Sequence, residues 1–182
     1  MTSAPAAAAQ DQAVATTQVY RVYIKATPEA IWQAITDPEW TNRYGYTGYA
    51  HYDLRPGRPY QVLANEEFKA AASAQGFTCP DVVVDGEVIE SDPPRKLALT
   101  WRLLMDPTIE AEGFTRVTWE IKPIDEHACS VTVTHDVTGA PATAAVVSAS
   151  LEDSGQGGGG GHAWVLSDLK SLLETGTTLA GK

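Results

Sequence analysis

The stretch QVYRVYIKATPEAIWQAITDPEW, residues 18–40, decides the fold because it joins a strand directly to helices. Apolar and polar side chains alternate strictly over residues 18–25, which is the period of a half-buried strand. The pattern predicts a strand whose inward side chains are Tyr20, Val22 and Ile24.

Helix signals follow that strand at once. Thr27 offers a hydroxyl for the N-cap, and Pro28 suits the first helical position. Asp37 and Pro38 end this helix and begin a second short one that continues through Trp40. The sequence therefore predicts one strand followed by two short helices.

Working outward, six further segments have strand character and are separated by turn residues. Short connections between strands favour antiparallel pairing. A short surface helix is predicted over residues 65–75, and Ala-rich residues 140–154 form a further helix candidate. The predicted strands are residues 46–53, 58–64, 82–91, 96–104, 114–122 and 126–137.

The last predicted helix spans residues 162–174 and ends at Gly176. A helical projection places its apolar residues on one face, which is typical of a helix packed on a sheet. The run Gly157–Gly161 precedes it, and we interpret this run as a hinge that gates a cavity. The apolar face comprises Val165, Leu166, Leu169, Leu172 and Leu173.

Composition limits the classes of function. The chain has 182 residues, 43% of them hydrophobic, and a formal net charge of −10, which fits one globular domain. An acidic chain opposes binding to nucleic acids and anionic membranes. No apolar run is long enough to span a membrane. Cys79 and Cys129 do not form a metal-binding or redox pair, and reduced thiols are the simpler expectation.

The predicted organisation is one domain with two short tails. Residues 1–17 are expected to form a disordered Ala-rich tail, residues 18–177 the domain, and residues 178–182 a C-terminal tail. The first residues lack the basic start and Leu-rich centre of a secretion signal. We therefore expect a cytoplasmic protein.

Four stretches in this order resemble the START-like (SRPBCC) superfamily, in the branch related to the C-terminal domain of the activator of heat-shock-protein ATPase. They cover nearly everything after residue 18. The stretches are ATPEAIWQAITDPEWTNRY (26–44), VDGEVIESDPPRKLALTWR (84–102), FTRVTWEIKP (114–123) with VTVTHDV (131–137), and AWVLSDLKSLLETG (163–176).

The resemblance implies an α+β helix-grip fold, in which a curved antiparallel seven-stranded sheet wraps around a long C-terminal helix. It also implies a cavity between sheet and helix. The superfamily hosts carriers, cyclases and co-chaperone domains, so function has to be argued from the site. The chain departs from the usual Gly-Trp-x-Trp entry to the last helix, because His162 and Trp164 follow Gly161 here.

Two histidines are the candidates for chemistry. His135 shares the inward parity of its strand, so it is either a hydrogen-bonded core residue or a cavity-lining acid, base or donor for catalysis. His162 has the heading of the apolar helix face if the helix already includes it. The alternative is that the Gly run frays this turn and leaves His162 in water.

The other candidate ligand-binding residues are apolar or aromatic. Trp101 and Trp119 have inward parity on neighbouring strands, which indicates either core packing or an aromatic cavity wall. Some of the clustered tyrosines offer hydroxyl groups to a ligand. The predicted ligand-binding set is Trp101, Trp119, His135, His162, Tyr46, Tyr60 and Leu169.

Several motifs are absent from the sequence. It has no G-x-S-x-G elbow, no H-E-x-x-H pair and no phosphate-binding loop. His51 and Asp53 lie on one strand face, but two ligands do not make a metal site. No metal and no cofactor are therefore predicted.

Three functions remain open at this stage. The first is a module that binds a small, largely apolar molecule, lipid-like or aromatic. The second is a cyclase or dehydratase acting on a polyketide-like or aromatic substrate, with His135 transferring a proton. The third is a co-chaperone-like interaction domain, which the lack of a second domain disfavours. A homodimer is left open.

Overall fold

The computed structural model describes residues 16–74, 76, 78–148, 161–179 and 181. The described chain is an α+β protein with a seven-stranded antiparallel sheet, short helices after the first strand and a C-terminal helix. This architecture confirms the predicted helix-grip fold.

The described residues include seven strands and six helices. The strands are β1 (Thr17–Ile24), β2 (Tyr49–Tyr52), β3 (Pro59–Leu63), β4 (Val82–Asp92), β5 (Lys96–Leu103), β6 (Thr115–Pro123) and β7 (Cys129–Asp136). The helices are α1 (Pro28–Thr36), α2 (Pro38–Thr41), α3 (Glu66–Ala74), α4 (Pro107–Ala111), α5 (Pro141–Ser148) and α6 (Gly161–Thr175).

The strand order is β1-β7-β6-β5-β4-β3-β2, and every neighbouring pair is antiparallel. The first strand therefore lies at one edge beside the last strand, and β2 lies at the other edge. In this register His135 of β7 is opposite Gln18 of β1 and Val117 of β6. The last two strands along the chain thus bring the predicted site towards the β1 edge.

Local signals explain why the chain turns into helices after β1. The Thr27 hydroxyl accepts a hydrogen bond from the Ala30 N–H at 3.2 Å, and Pro28 begins α1. The Asp37 carboxylate accepts from the Glu39 N–H at 2.9 Å and begins α2. Each cap satisfies a backbone donor that the first helical turn leaves unpaired.

The main core lies between the concave face of the sheet and helices α1 and α6. Full burial of one Leu, Ile or Val side chain stabilises the fold by about 1.5–3 kcal/mol. This packed cluster comprises Ile24, Ile31, Ala34, Ile35, Tyr44, Val117, Ile121, Cys129, Val131, Val133, Leu166, Leu169 and Leu172. Cys129 and the half-buried Cys79 are both free thiols.

Two strands begin three residues later than the sequence predicts, and one predicted connection contains a helix. The strand predicted over residues 46–53 begins only at Tyr49, because Gly45, Thr47 and Gly48 have positive φ angles that break an extended strand. The strand predicted from residue 126 begins at Cys129, after a turn in which Ile124 N–H donates to the Ala128 carbonyl. The connection over residues 105–113 contains α4, which the Asp106 carboxylate caps.

The C-terminal region also differs in detail. The helix candidate over residues 140–154 is described as α5, and residues 149–154 lie outside the described residues, as do Gly157–Gly160 of the predicted hinge. Beyond α6, Thr178 is buried and the Leu179 N–H donates to the Asp168 carboxylate at 2.6 Å. None of the described helices is both long enough and apolar enough to cross a membrane.

Candidate functional site

His135 lies near the end of β7 on the concave face of the sheet. Its exposed fraction is 0%. Side chains alternate along a strand, so His135 shares this face with Val131 and Val133, which are equally buried. The strand therefore carries an imidazole into an interior that is otherwise apolar.

A chain of hydrogen bonds satisfies the buried imidazole. The His135 Nε2 atom lies 2.7 Å from the Thr115 hydroxyl, and its Nδ1 atom lies 2.9 Å from His162 Nε2. The Thr115 hydroxyl also donates to the Trp101 carbonyl at 3.0 Å. One buried row of hydrogen-bonded groups thus joins four elements, namely β5, β6, β7 and α6.

Aromatic rings contact both histidines of this hydrogen-bonded row. The Trp101 ring meets His135 edge-on, with centroids 5.3 Å apart and planes at 79°. The Tyr20 ring of β1 lies 5.4 Å from the His162 ring. Such edge and tilted contacts suit aromatic quadrupoles and fix both imidazole planes.

Both imidazoles are poor proton acceptors in this setting. Burial, followed by the neighbouring His162, lowers the pKa of His135 to about 3, against a small opposing effect of Asp136. Burial lowers the pKa of His162 to about 4. Because charged imidazolium loses its hydration in the interior, both rings are neutral at pH 7.

A hollow lies between β1 and α5, and neither His135 nor His162 is among its lining residues. It has a volume of about 550 Å³ and opens to solvent. The Gln18 amide donates to the Ala144 carbonyl at 2.9 Å, which ties the strand to the helix. The lining residues are Gln18, Val19, Tyr20, Pro141, Ala144, Ala145 and Ser148.

Tyr20 connects this hollow to the histidine pair. It forms part of the wall of the hollow, and its ring contacts His162. Its hydroxyl lies 2.5 Å from Gln18 Oε1 and 3.3 Å from the Val147 carbonyl. Burial raises the pKa of Tyr20, so the phenol stays protonated as a hydrogen-bond donor.

A second hollow of about 390 Å³ lies at the opposite edge of the sheet, by β2 and β3. Tyr52 and Tyr60 stack there with centroids 5.1 Å apart. Asp53 in its wall pairs with Arg55 and Arg58, which holds the pKa of this carboxyl well below its usual range. Within the described ranges, no three His, Cys, Asp or Glu side chains gather as metal ligands.

The structure brings together only part of the predicted ligand-binding set. Trp101, His135 and His162 form one cluster, whereas Tyr60 lies at the second hollow. Tyr46 is 47% exposed, and its hydroxyl accepts from the Gly161 N–H at 2.9 Å.

Leu169 and Trp119 belong to the packed interior. Leu169 is fully buried in the cluster between sheet and α6, and Trp119 packs against this cluster. The first hollow lies at the β1 edge of the sheet, whereas the sequence predicted a cavity between the sheet and α6.

Sequence reasoning missed two residues of the site. Thr115 shares the inward parity of Val117 and Trp119 on β6, so the sequence predicts its orientation. The sequence does not predict that its hydrogen-bond partner is His135 on β7. Tyr20 was predicted to point inward, and only the return of α5 and α6 to β1 places it beside His162.

The sequence of this chain matches a known protein family. Residues 25–174 match the sequence model of the family described as activator of Hsp90 ATPase homolog 1-like protein. The chain belongs to this family. No curated protein sequence shows a significant match to the chain. The family match agrees with the START-like resemblance seen in the sequence.

Solved structures of the same fold are similar over most of this family member. DynU16, a putative protein in the dynemicin biosynthetic locus, has 20% identity and a TM-score of 0.61, covering 92% of this chain and 50% of that chain. SSP2350 from Staphylococcus saprophyticus has 16% identity and a TM-score of 0.56, covering 90% and 95%. The Aha1 dimer from Colwellia psychrerythraea has 17% identity and a TM-score of 0.52, covering 88% and 97%.

Proposed function

We propose that this chain binds a small, largely apolar molecule, aromatic or lipid-like, in the hollow between β1 and α5. The observation that carries the proposal is this open hollow of about 550 Å³. Small-molecule sites are usually concave, mostly apolar and about 300–1,000 Å³ in volume, with a few polar groups that fix orientation.

The lining chemistry supports this ligand class. Val19, Tyr20, Pro141, Ala144 and Ala145 present apolar surface, and Gln18 and Ser148 add polar groups. The net charge of −10 disfavours a strongly anionic ligand. Contact with a neutral aromatic or aliphatic body would remove this apolar surface from water, which is the main driving force for such binding.

The test uses the neutral dye N-phenyl-1-naphthylamine, which fluoresces more strongly in an apolar site. We expect a saturable increase in its fluorescence with one dye per chain. Ala145→Trp fills the hollow from an exposed helix position and should weaken dye binding at least about ten-fold, or about 1.4 kcal/mol.

Ala70→Trp on α3 is the matched control, because Ala70 is also exposed on a helix but lies away from the hollow. It should bind the dye as the unchanged chain does, and both variants should unfold at similar urea concentrations. Equal dye affinity in all three proteins, or no saturable binding, would overturn the proposal.

A cyclase- or dehydratase-type enzyme is the second candidate, because the hydrogen-bonded pair His135–His162 contacts Tyr20, which lines the hollow. Compounds that displace the dye would be incubated with the protein and followed by mass spectrometry. Loss of water or ring closure that disappears in His162→Gln would support an enzyme. Unchanged compounds would favour a binding protein.

The family name and the Colwellia dimer suggest two further measurements. A co-chaperone would stimulate the ATPase of a purified Hsp90, and our proposal predicts no such stimulation by this chain. Light scattering after size-exclusion chromatography would test whether this chain forms a homodimer, since the Colwellia protein is described as a dimer.

A further inference from the structure

The free edge of β1 borders the hollow between β1 and α5. Strand β1 lies at one end of the sheet order and pairs with β7. Three consecutive residues of β1 line the hollow, namely Gln18, Val19 and Tyr20. Their side chains alternate between the two faces of the sheet, so a surface that contacts all three includes the edge of the strand. The hollow therefore borders backbone groups as well as side chains.

The register with β7 shows which backbone groups point to this free edge. The Val137 N–H donates to the Thr16 carbonyl at 2.8 Å, which makes these two residues a hydrogen-bonded pair. Bonded and unbonded pairs alternate along an antiparallel ladder. Tyr20 therefore bonds to β7, whereas Val19, opposite Thr134, belongs to an unbonded pair. The N–H and C=O of Val19 consequently point away from β7, to the free edge.

Contacts with α6 agree with this direction and limit the length of the open edge. The Lys170 ammonium donates to the Tyr23 carbonyl at 2.7 Å, and the Lys25 N–H donates to the Glu174 carboxylate at 2.7 Å. Tyr23 and Lys25 share the parity of Val19, so side chains of α6 cover this same edge from Tyr23 onward. Among the described residues, no hydrogen bond uses the N–H or C=O of Val19. The open part of the edge is therefore short.

We propose that the ligand of this hollow is an uncharged N-acyl amino-acid amide with an apolar acyl group, whose amino-acid unit pairs with Val19 as the opposite residue of a neighbouring strand would. This inference rests on the proposed function, because it specifies the ligand of the same hollow. The short open edge favours a single amino-acid unit over a long peptide strand. The net charge of −10 disfavours a free carboxylate on the ligand.

Two hydrogen bonds define this pairing. The Val19 N–H would donate to the carbonyl of the amino-acid unit, and the N–H of that unit would donate to the Val19 carbonyl. Groups on either side of the unit would then point to the face of Gln18 and Tyr20. On that face the Gln18 amide donates to the Ala144 carbonyl of α5, and the Tyr20 hydroxyl lies 3.3 Å from the Val147 carbonyl. The apolar acyl group would therefore reach the α5 wall of the hollow.

The first test is amide hydrogen exchange measured by NMR in the chain without ligand. We expect the Val19 amide to be at least about ten-fold less protected than the Tyr20 amide, because only the second is bonded to β7. Equal protection of the two amides would show that the edge is already paired and would overturn the inference. This measurement is independent of the proposed function.

The second test compares two probes in displacement of the dye. One is N-(2-naphthylacetyl)glycine methylamide, and the other is its ester analogue, in which an oxygen replaces the glycine N–H. The unchanged chain should bind the amide about five-fold more tightly, the effect of one ordinary hydrogen bond. Apolar contact alone would favour the ester, because it is the less polar probe. Amide binding that is no tighter than ester binding would overturn the inference.

A proline variant removes the donor of Val19. Proline is tolerated on an edge strand where the lost N–H faces outward. Val19→Pro should weaken binding of the amide probe at least about five-fold, while the dye, which has no carbonyl group, still binds. Unchanged binding of the amide probe, or an equal loss for probe and dye, would contradict the pairing.

Tyr23→Pro is the matched control, because Tyr23 is on the same edge but does not line the hollow. It should bind the amide probe as the unchanged chain does, and urea unfolding shows whether both variants fold. The comparison of amide and ester in the unchanged chain stands without these variants. If both probes displace the dye equally, this inference fails alone; if neither the dye nor the probes bind, the proposed function fails.

Discussion

The two ends of the interior under the sheet are equally buried but differ in chemistry. At one end, Leu169 of α6 and Ile31 of α1 are fully buried and belong to the packed hydrophobic cluster. At the other end, His135 is equally buried but reaches Thr115 and His162 through hydrogen bonds.

The comparison shows that burial alone does not separate a core from a site. A packed apolar end stabilises the fold through surface removed from water. A buried imidazole gains nothing in this way and has to recover its lost hydration through hydrogen bonds. The apolar end is therefore expected to dominate stability, and the histidine end to respond to pH and to ligands.

The largest expected effect lies at the apolar end. Leu169→Ala removes a fully buried side chain and leaves a cavity, which should reduce the free energy of unfolding by about 2–5 kcal/mol. Urea unfolding measures this loss, and Leu169→Met, which roughly conserves volume, should lose less than about 1.5 kcal/mol. A loss below about 1 kcal/mol for the Ala variant would contradict tight packing here.

The junction of α5 and α6 should show the next largest effect. A Cβ atom on Gly161 would lie 1.9 Å from the Val147 carbonyl oxygen, and the φ angle of Gly161 is +50°. Gly161→Ala should therefore reduce the free energy of unfolding by about 1–3 kcal/mol through overpacking, in addition to backbone strain.

Gly139→Ala is the matched control for that junction, because Gly139 also has a positive φ of +76° but has nothing within 4 Å of its Cβ position. It should show backbone strain alone, measured by urea unfolding in parallel. Equal losses for the two variants would mean that contact with Val147 contributes nothing.

Acid should weaken the histidine end selectively. Unfolded histidines titrate near pH 6.5, whereas the folded pKa values are about 3 for His135 and about 4 for His162. Between pH 6.5 and pH 4 the unfolded chain binds more protons than the folded chain, so the free energy of unfolding falls as pH falls. Above pH 6.5 the contribution of the neutral imidazoles to stability is fully present.

A double variant isolates this pH dependence. When the pH falls from 6.5 to 5, the free energy of unfolding decreases in both proteins. The decrease should be smaller in the variant with both His135→Gln and His162→Gln, by more than about 1 kcal/mol. This pH range lies above the usual carboxyl pKa values. Urea unfolding at a series of pH values measures the difference. Parallel profiles would show that the imidazoles are not buried in neutral form.

The smallest expected effect concerns the cap of α5, which forms one wall of the hollow. The Glu112 carboxylate accepts hydrogen bonds from Ala142 N–H, Thr143 N–H and the Thr143 hydroxyl at 2.7–2.8 Å. Glu112→Ala should cost about 0.5–2 kcal/mol, as the loss of a helix cap does, and should weaken dye binding.

Glu110→Ala is the control for this cap, because Glu110 is exposed nearby on α4. Unfolding and dye titrations of both variants are compared under the same conditions. A full loss of stability at Glu110 with none at Glu112 would contradict the role of the carboxylate as the cap of α5.

Local patterns predicted much of the fold. Alternation over β1, the caps at Thr27 and Asp37 and the apolar face of α6 each depend on residues close together in sequence. The boundaries of β2 and β7 were predicted less well, because positive φ angles at Gly45 and Thr47 and a turn before Cys129 depend on backbone detail that residue type does not specify.

The sequence by itself determined the alternation that turns His135 inward and the order of strands and helices that belongs to the helix-grip fold. Only the tertiary structure decided that Thr115, His135, His162 and Tyr20 meet and that the hollow lies beside β1. The physical reason is that parity is fixed by the backbone of one strand, whereas hydrogen-bond partners and hollows arise where elements distant in sequence pack together.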